Sequence, residues 1–423
     1  MRKLLVCAGL AVAGTTALQA AYTPDLNSME TSKMWSLSGT LRGFYDDNYN
    51  TAPSGPDKRG SYGFEVSPSF SLNVPLQQTE IGLRYTYGLY YYQDREETTG
   101  RPIDQTHQAD LWVDHAFTEN WKTKIQDSFV VGQDPDLING GGTLLRVSGN
   151  NIHNNGTITL DSQWTRLLGS ELGYQNNFYD YQNSGGTAVN PSLAGVLNRL
   201  EHLAWVNLNW RLLPTATAFV GYQYGQENYI GNEFIAPGYV SDARNNRSHY
   251  GYVGVQYNPL DNLNIAVKAG IQYIDFYNPP TGVPTTSQTS PYADLSATYT
   301  YLPGSYAQVG FQQRRNATDL VGNPALANGK ITEDQESSVV YASINHKFTP
   351  QLTGNVLGNI QYSTFKGGQY DSQSQTWYTL GANLSYSFNP HVSAEIGYNF
   401  DDLTSSVQKY QRNRVYVGVT GTY

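Results

Sequence analysis

The stretch Val415-Tyr-Val-Gly-Val-Thr-Gly-Thr-Tyr423 alternates strictly between two kinds of side chain. Val415, Val417, Val419 and Tyr423 share one parity, while glycine and threonine dominate the other. A period of two over a whole segment is typical of a β-strand whose two faces meet different media. The segment also ends on an aromatic side chain. One face of this strand is therefore expected to contact an apolar medium.

The other end of the chain has the pattern of a secretory signal. Arg2 and Lys3 precede an apolar run from Leu4 to Val12, and Leu18-Gln-Ala20 provides small residues for cleavage. The apolar run is too short for a membrane helix, which needs about 18 or more apolar residues. We therefore predict that residues 1–20 are a signal peptide.

The two ends together predict an exported protein. Residues 21–34 would then be a periplasmic N-terminal segment and residues 35–423 a single domain. The only cysteine, Cys7, lies within the signal, so the exported chain has no disulfide and depends on its core or the membrane for stability. In this setting the final strand resembles the assembly signal of bacterial outer-membrane barrels, with an apolar side formed by Val415, Val417, Val419 and Tyr423.

The composition excludes several classes of protein. Only 14% of the 423 residues are charged, although the mean hydropathy is −0.48, and 34 residues are tyrosine. A disordered chain would have fewer aromatic residues, and a soluble globular chain would carry more charge. Loss of Arg2 and Lys3 leaves 24 of the 26 basic residues against 35 acidic ones, and this negative balance argues against a nucleic-acid partner. The mixture suits a barrel with an apolar exterior, a polar interior and interfacial tyrosines.

Short turns and long polar loops alternate along the chain. Seven turns marked by proline or asparagine recur at Val74–Gln78, Phe117–Trp121, Leu213–Thr215, Tyr257–Asn262, Tyr301–Ser305, Phe348–Leu352 and Phe388–Val392. Nine longer loops cover about 50–61, 94–106, 132–150, 182–198, 226–247, 277–290, 315–333, 364–374 and 401–411. This alternation is typical of a transmembrane barrel with short periplasmic turns and long outer loops. We predict an all-β, antiparallel up-and-down transmembrane β-barrel of about 18 strands, within a range of roughly 16 to 20.

A repeat of about 45 residues is also compatible with a WD40-like propeller. However, each unit holds two strands of about 10 to 13 residues, whereas a propeller blade has four short ones. Neither the Trp-Asp nor the Gly-His signature recurs. The repeat therefore favours the barrel.

The alternation assigns nearly all mid-strand charges to one face. A charge on the lipid-facing side of a barrel costs up to about 2–4 kcal/mol at mid-membrane. The polar parity carries Arg42, Glu65, Arg84, Asp110, Asp114, Lys122, Lys124, Glu171, Lys268, Asp294, Arg314, Lys347 and Glu395. A soluble two-sheet sandwich would place its polar face in water and would not need to keep it so poor in lysine and glutamate. The pattern therefore favours a membrane barrel.

Two positions break the alternation. Asp127 falls on the apolar parity of the 121–129 segment, which predicts a bulge or a strand end there. Pro68 lies inside the 62–72 segment, where it removes a ladder hydrogen bond and predicts a bulge at the rim.

Four stretches resemble the putative beta-barrel porin 2 family of bacterial outer-membrane proteins. They are Thr79–Asp94, Asp127–Pro135, Asn198–His202 and Arg412–Tyr423, and the similarity spans nearly the whole exported chain. The resemblance implies an outer-membrane barrel with a porin-like role. It transfers no functional residue and no solute.

The sequence carries no clear catalytic or metal-binding motif. The seven histidines, at 107, 115, 153, 202, 249, 346 and 391, lack metal-ligand spacing and are interpreted as interfacial or solvated. There is no nucleophile elbow and no phosphate loop. Acidic clusters at 46–47, 94–97 and 134–136 are either divalent-ion sites near lipopolysaccharide or plain loop tips. We expect no cofactor, no metal and no enzymatic activity.

The inward face carries the functional prediction, because barrels of about 16 to 18 strands leave a water-filled channel unless a loop fills it. Passive diffusion of small hydrophilic solutes or ions is the favoured function, with a plugged structural or surface-binding barrel as the alternative and an enzyme in a barrel as a distant third. The 133–149 loop or the Pro191–Leu197 segment, which is either a short helix or a loop cap, is expected to constrict the lumen. Expected partners are outer-membrane lipid and lipopolysaccharide, the barrel-assembly machinery, and possibly further copies of the chain. The lumen-lining candidates are Arg42, Arg84, Lys122, Lys124, Glu171, Lys268, Asp294, Arg314 and Glu395.

Overall fold

The computed structural model describes residues 33–95, 101–132, 150–407 and 409–423. The predicted signal peptide, residues 21–32 of the predicted periplasmic segment and the 133–149 loop lie outside the described residues, as does the 134–136 acidic cluster. Across the described ranges, no helix has the length and apolar character needed to cross a membrane.

Eighteen long strands and a short loop hairpin, β10 and β11, make up the fold. The strands are β1 Trp35–Asp46, β2 Ser61–Pro75, β3 Thr79–Tyr92, β4 Ile103–Thr118, β5 Trp121–Gly132, β6 Asn151–Gln163, β7 Leu168–Tyr181, β8 Arg199–Leu213, β9 Ala216–Tyr229, β10 Phe234–Ala236, β11 Tyr239–Val240, β12 Asn246–Leu260, β13 Leu263–Phe276, β14 Thr286–Leu302, β15 Ser305–Asn316, β16 Asp334–Lys347, β17 Leu352–Lys366, β18 Ser374–Asn389, β19 Val392–Ser405 and β20 Tyr410–Thr422. One short helix, α1, covers Leu193–Leu197, and 3₁₀ turns cover Ser241–Arg244, Pro324–Leu326 and Gly368–Tyr370.

The long strands form one closed sheet. Each pairs antiparallel with the next long strand along the chain, and β9 pairs directly with β12 across the β10–β11 hairpin. Closure comes from β1 and β20, which pair from Ser38 opposite Thr422 to Asp46 opposite Arg414. The structure therefore confirms the predicted antiparallel barrel of 18 strands, and the C-terminal stretch forms its closing strand.

The short and long connections alternate as predicted, with two differences. An eighth short turn at 164–167 contains neither proline nor asparagine, which is why the turn signals missed it. Several strands also extend further toward the long-loop end than predicted, so that the predicted loops 226–247 and 401–411 shrink to 230–245 and 406–409. Polar residues at these strand ends face the interior or the rim, where the alternation is least informative.

The two faces of the wall differ as the alternation predicts. On β1, Leu37 and Leu41 point outward and are 52% and 58% exposed, while Ser36 and Asp46 on the other parity are buried. On β20 the outward side chains Val415, Val417 and Val419 are about half exposed. The outer surface is thus apolar and the inner surface polar, as lipid contact requires.

The bulges predicted at Asp127 and Pro68 are both wrong, because neither strand changes register there. Asp127 pairs with Leu111 and Gly156 in a continuous register, so β5 has no bulge there and its carboxylate lies on the outer face. Around Pro68, the β2–β3 register is the same on both sides of a local gap at residues 67–68. The wall tolerates one missing backbone donor because the neighbouring ladder pairs hold the strands in place.

The last residue is fixed at the seam between the first and last strands. Its backbone N–H donates to the carbonyl of Leu37 at 2.8 Å, and the N–H of Leu37 donates back at 3.2 Å. The ring of Tyr423 packs 5.6 Å from that of Trp35, and the ammonium of Lys33 lies 4.4 Å from its centroid.

We expect Tyr423→Ala to reduce the fraction of chain that inserts and closes, because the seam loses its terminal aromatic contact. Heat-modifiable migration in gel electrophoresis of isolated membranes measures the folded fraction. Val407→Ala, in an outer loop, is the matched control. Equal folded fractions for Tyr423→Ala and wild type would contradict the prediction.

Candidate channel interior

Solvent reaches the inner face of the wall along β3–β6. Asp114, Lys122 and Gln126 are exposed although they point inward, and Arg84 and Lys124 are partly exposed. Many inward side chains of the other strands are covered, and Trp377 is only 1% exposed, although Arg211 and Lys347 near the short turns are exposed as well. The partly or fully exposed inward charges are most closely grouped on β3–β6.

Opposite charges alternate across this sector without closing into ion pairs. The ladder register places Arg84 beside Asp110, Lys124 beside Asp114, and Lys122 beside Asp161. Asp110 instead accepts hydrogen bonds from Ser128 and Gln108. Within the described residues, none of these cations forms an ion pair, so their charges act on the lumen. This set, completed by Glu80 on β3, is called the charged wall: Glu80, Arg84, Asp110, Asp114, Lys122, Lys124 and Asp161.

Two other predicted lumen residues neutralise each other beside the closing seam. Arg42 donates from Nη1 to Glu65 at 3.0 Å and from Nε to Glu395 at 2.6 Å. Asn383 donates to the second oxygen of Glu395 at 2.8 Å, and the Arg42 guanidinium lies over the ring of Tyr416. Arg42 and Glu395 face inward as predicted, but they belong to a cross-strand network that fixes the wall.

Lys268 and Glu171 belong to a second, more deeply covered network on β7–β14. The Lys268 ammonium lies 4.0 Å from Asp294 and 5.2 and 5.1 Å from the rings of Tyr252 and Tyr292. Glu171 accepts a hydrogen bond from the indole N–H of Trp205 at 2.5 Å. These side chains are buried against the inner wall. They therefore occupy space inside the barrel and present little charged surface to the lumen.

Arg314 also keeps the inward parity predicted for it. It pairs with Ser337 of β16 in the ladder. Its neighbour Arg315 has a role that the sequence did not predict: it bonds both carboxylate oxygens of Asp334 and donates to Gln288 at 2.6 Å. The sequence analysis placed Arg315 in the predicted 315–333 loop, whereas β15 extends to Asn316 and pairs with β14 only as far as Gln313.

The long loops above β7–β16 fold together into a cap, defined as residues 182–198, 230–245 and 317–333. Its apolar centre includes Leu197, Ile235, Val321 and Ile331, packed with Tyr181 of the wall. Tyr181 lies on the inward parity of β7, so the cap rests on the inner side of the barrel mouth. Of the two alternatives considered for 191–197, the structure has the short helix, α1, with Ser192 accepting a hydrogen bond from the N–H of Gly195 at its N-terminus.

Arg244 ties the loops of the cap to one another. Its side chain is fully buried, and its guanidinium donates to the carbonyls of Thr318 at 2.9 Å, Thr332 at 2.8 Å and Val196 at 3.4 Å, and also to that of Leu320. No pattern around this loop arginine in the sequence distinguishes it from a solvated one.

Glu233 fastens the same loops near the surface. It accepts from the hydroxyl of Ser192 and from the N–H groups of Gly185 and Gly186. Burial raises the pKa of the Glu233 carboxyl, but these hydrogen bonds outweigh it and hold the pKa below its usual value. The carboxylate form is therefore the one that joins 185–192 to 233.

The histidines do not assemble a metal site. Within the described ranges, no group of three or more histidine, cysteine, aspartate or glutamate residues could hold a metal ion. Instead, His107, His202 and His249 lie on the outer face, each with Nδ1 at 2.7–2.8 Å from a tyrosine hydroxyl on a neighbouring strand. His391 lies in a short turn, where Nδ1 is 3.0 Å from the carbonyl of Thr422.

A closed barrel, an apolar exterior and a polar, partly open interior are the features of a porin-like wall. Residues 331–423 match the putative beta-barrel porin 2 family. This match covers strands β16–β20 and includes the Arg412–Tyr423 stretch that resembled the family in the sequence, while the other three stretches lie outside it. The comparison with curated proteins gives no match. Fold and match together support an outer-membrane porin-like barrel.

Several solved outer-membrane proteins are similar to the chain at low identity and with TM-scores below 0.5. OccAB4 of Acinetobacter baumannii is 13% identical with a TM-score of 0.45, and covers 92% of this chain and 99% of its own. OpdK of Pseudomonas aeruginosa is 12% identical with a TM-score of 0.44 and the same coverage. The ferric enterobactin receptor PfeA of Pseudomonas aeruginosa is 10% identical with a TM-score of 0.43, over 92% of this chain and 81% of its own. Likeness at this level carries no conclusion about a solute.

Proposed function

We propose that the protein is a passive outer-membrane channel for small hydrophilic solutes or ions. The observation that carries the proposal is the charged wall, whose acidic and basic side chains face solvent inside a closed barrel. Unpaired charges are costly in an apolar core, because burial removes their water. Solvated charges along one sector of a membrane barrel are instead typical of a path for hydrated solutes. The wall supplies no catalytic arrangement, so the proposal includes no enzymatic role.

The proposed orientation places the short turns and the C-terminus in the periplasm and the cap at the cell surface. Short periplasmic turns and long outer loops are the rule for barrels of this kind. In this orientation, outer-membrane lipid and lipopolysaccharide surround the apolar face, and the barrel-assembly machinery receives the β20 strand. Val415, Val417, Val419 and Tyr423 form the side of that strand that would be recognised.

Single-channel recording in planar bilayers tests the proposal. Stable conductance steps from folded, heat-modifiable protein are the expected result. Folded protein that gives no steps would overturn it. The charged wall carries four acidic and three basic side chains, so a weak preference for cations is expected under a salt gradient.

We expect Arg84→Glu to shift the reversal potential further toward cation selectivity, because it changes the charged wall by two negative units. Arg84 is inward on β3 and forms no ion pair with other described residues. Arg59→Glu, the same change at an exposed loop position, is the matched control. An unchanged reversal potential for Arg84→Glu would remove Arg84 from the solute path.

A plugged barrel that binds at the surface is the second candidate. Two observations favour it: the cap rests inside the mouth, and the inward side chains of β16–β18 are nearly all covered near their loop ends. Wild-type conductance and opening of the cap together distinguish the two functions. A channel conducts with the cap in place and conducts more when the cap opens, a barrel plugged by the cap conducts only after opening, and a barrel filled by its own inward side chains stays silent in both states. The Arg244 variant described below performs this test.

A further inference from the structure

The outer face of β5–β8 is polar at the depth where a barrel should meet acyl chains. Asp127 lies six residues above Trp121, the outward aromatic at the short-turn end of β5. At about 3.3 Å per residue and a tilt of about 40°, this is roughly 15 Å into an apolar band about 25 Å tall. A carboxylate is therefore placed near mid-membrane, on the outside.

Asp127 is not alone on this face. Its Oδ1 accepts a hydrogen bond from the Asn154 amide at 3.0 Å. The ladder continues from Asp127 through Gly156 to Asn176 and then to His202, all on the outward parity. The Asn176 amide lies 3.3 Å from Nδ1 of His202. We call this set the outer polar row: Asp127, Asn154, Asn176 and His202.

Other sectors of the outer face differ. Across β14–β20, the mid-strand outward side chains are apolar: Leu295, Val309, Val340, Ile360, Leu380, Ile396 and Val417. Outward histidines also occur at His107 on β4 and His249 on β12, but the group of Asp127, Asn154 and Asn176 has no counterpart among these mid-strand positions of β14–β20. General lipid contact would not favour such a difference, because every sector of an isolated barrel meets the same acyl chains.

We infer that the outer face of β5–β8 contacts a second copy of this chain. The amides of Asn154 and Asn176 and the ring of His202 bond within the chain, to the carbonyls of Ser128 and Glu201 and to the hydroxyl of Tyr174. The Asp127 carboxylate, nearest mid-membrane, accepts one hydrogen bond from Asn154 among the described residues, and neither water nor lipid headgroups solvate its charge at that depth, so a second protein surface would do so. The amides of Asn154 and Asn176 are donors and acceptors at once. Two copies of the outer polar row can therefore satisfy each other, as an interface between identical surfaces requires.

The shape and size of the face are suitable for such a contact. Small outward residues, Ala109, Gly156 and Ala204, lie on this face among larger ones such as Ile158 and Tyr174. Small residues allow two membrane surfaces to approach closely. The four strands β5–β8, spaced at about 4.8 Å under a band about 25 Å tall, offer about 480 Å², and the flanking strands β4 and β9 extend this toward the roughly 800 Å² per partner of a stable interface.

The particle mass in mild detergent or native nanodiscs tests the inference. Wild-type particles should contain more than one chain, and Asp127→Leu/Asn176→Leu should contain one, while the heat-modifiable fold is retained. Val309→Leu, on the apolar side, is the matched control and should keep the wild-type mass. Single-chain wild-type particles, or an unchanged mass in the double variant, would overturn the inference.

Cross-linking identifies the occupant. Single-cysteine variants Ile158→Cys, on the proposed face, and Val340→Cys, on the apolar side, are treated in isolated membranes with a thiol cross-linker about 10 Å long. Products of twice the chain mass for Ile158→Cys alone support a second copy. A product with a different protein, or equal yields for both variants, would refute it.

Discussion

Replacing Asp46 by alanine is expected to lower the free energy of unfolding of the barrel by about 3–5 kcal/mol. Asp46 is fully buried at the seam, and its Oδ2 accepts hydrogen bonds from Arg412 Nη2 at 2.6 Å and from Arg414 Nη2 at 2.9 Å. Removing this carboxylate leaves the buried Arg412 and the largely buried Arg414 without their shared anion. The loss falls on the pair of strands that closes the sheet.

Denaturant unfolding in detergent, followed by gel migration without heating, measures the effect. Asp57→Ala changes an exposed carboxylate in the neighbouring loop and is the control, expected to unfold at the wild-type midpoint. Equal unfolding midpoints for Asp46→Ala and Asp57→Ala would contradict the prediction that the seam stabilises the barrel. Asp46→Asn separates charge from shape, and an intermediate midpoint is expected because the amide still accepts one hydrogen bond.

The second large effect is expected from Arg244→Ala, which should open the cap without unfolding the barrel. Hydrogen bonds from a charged donor contribute about 1.5–3 kcal/mol each. Loss of those to Thr318 and Thr332 should therefore raise the open fraction of the three loops at least about tenfold. Faster proteolysis within the cap and larger conductance steps are the expected readings.

Lys330→Ala is the control, because this exposed residue lies in the same loop outside the Arg244 contacts. Its proteolysis rate and conductance should match wild type. Faster proteolysis of Arg244→Ala without any conductance would favour the plugged barrel. Conductance steps of wild-type size would show that the cap does not restrict the solute path.

The sequence was most informative where the two sides of a strand meet different media. The alternation of short turns and long loops predicted about 18 strands. The alternation of side chains predicted that Lys122 and Arg84 point inward, because lipid excludes charge from one parity over the whole length of a strand. The turn at 164–167 was missed because a tight turn needs only suitable backbone angles, and proline or asparagine is one way to obtain them.

The periodic pattern of side chains could not predict contacts between loops. Arg244 meets Thr332 across 88 residues of chain, and no local pattern encodes such a contact. Side-chain parity predicts which way a side chain points but not which residue it contacts. The sequence therefore could not distinguish Arg42, which is paired with Glu65 and Glu395, from Lys122, which has no ion pair among the described residues. Asp127 shows the opposite case: the anomaly was visible in the sequence, but its explanation as a bulge was wrong.

Because Trp35 and Tyr423 meet at the seam, the order of the strands along the chain can be changed by circular permutation. The two ends of the barrel domain lie side by side, so a short linker could join them while new ends are opened in the turn at 164–167. Every strand of that circular permutant would keep both of its neighbours. It would lose only the free C-terminus at Tyr423. Its yield in the membrane would show whether insertion requires that free terminus or only the complete set of strands.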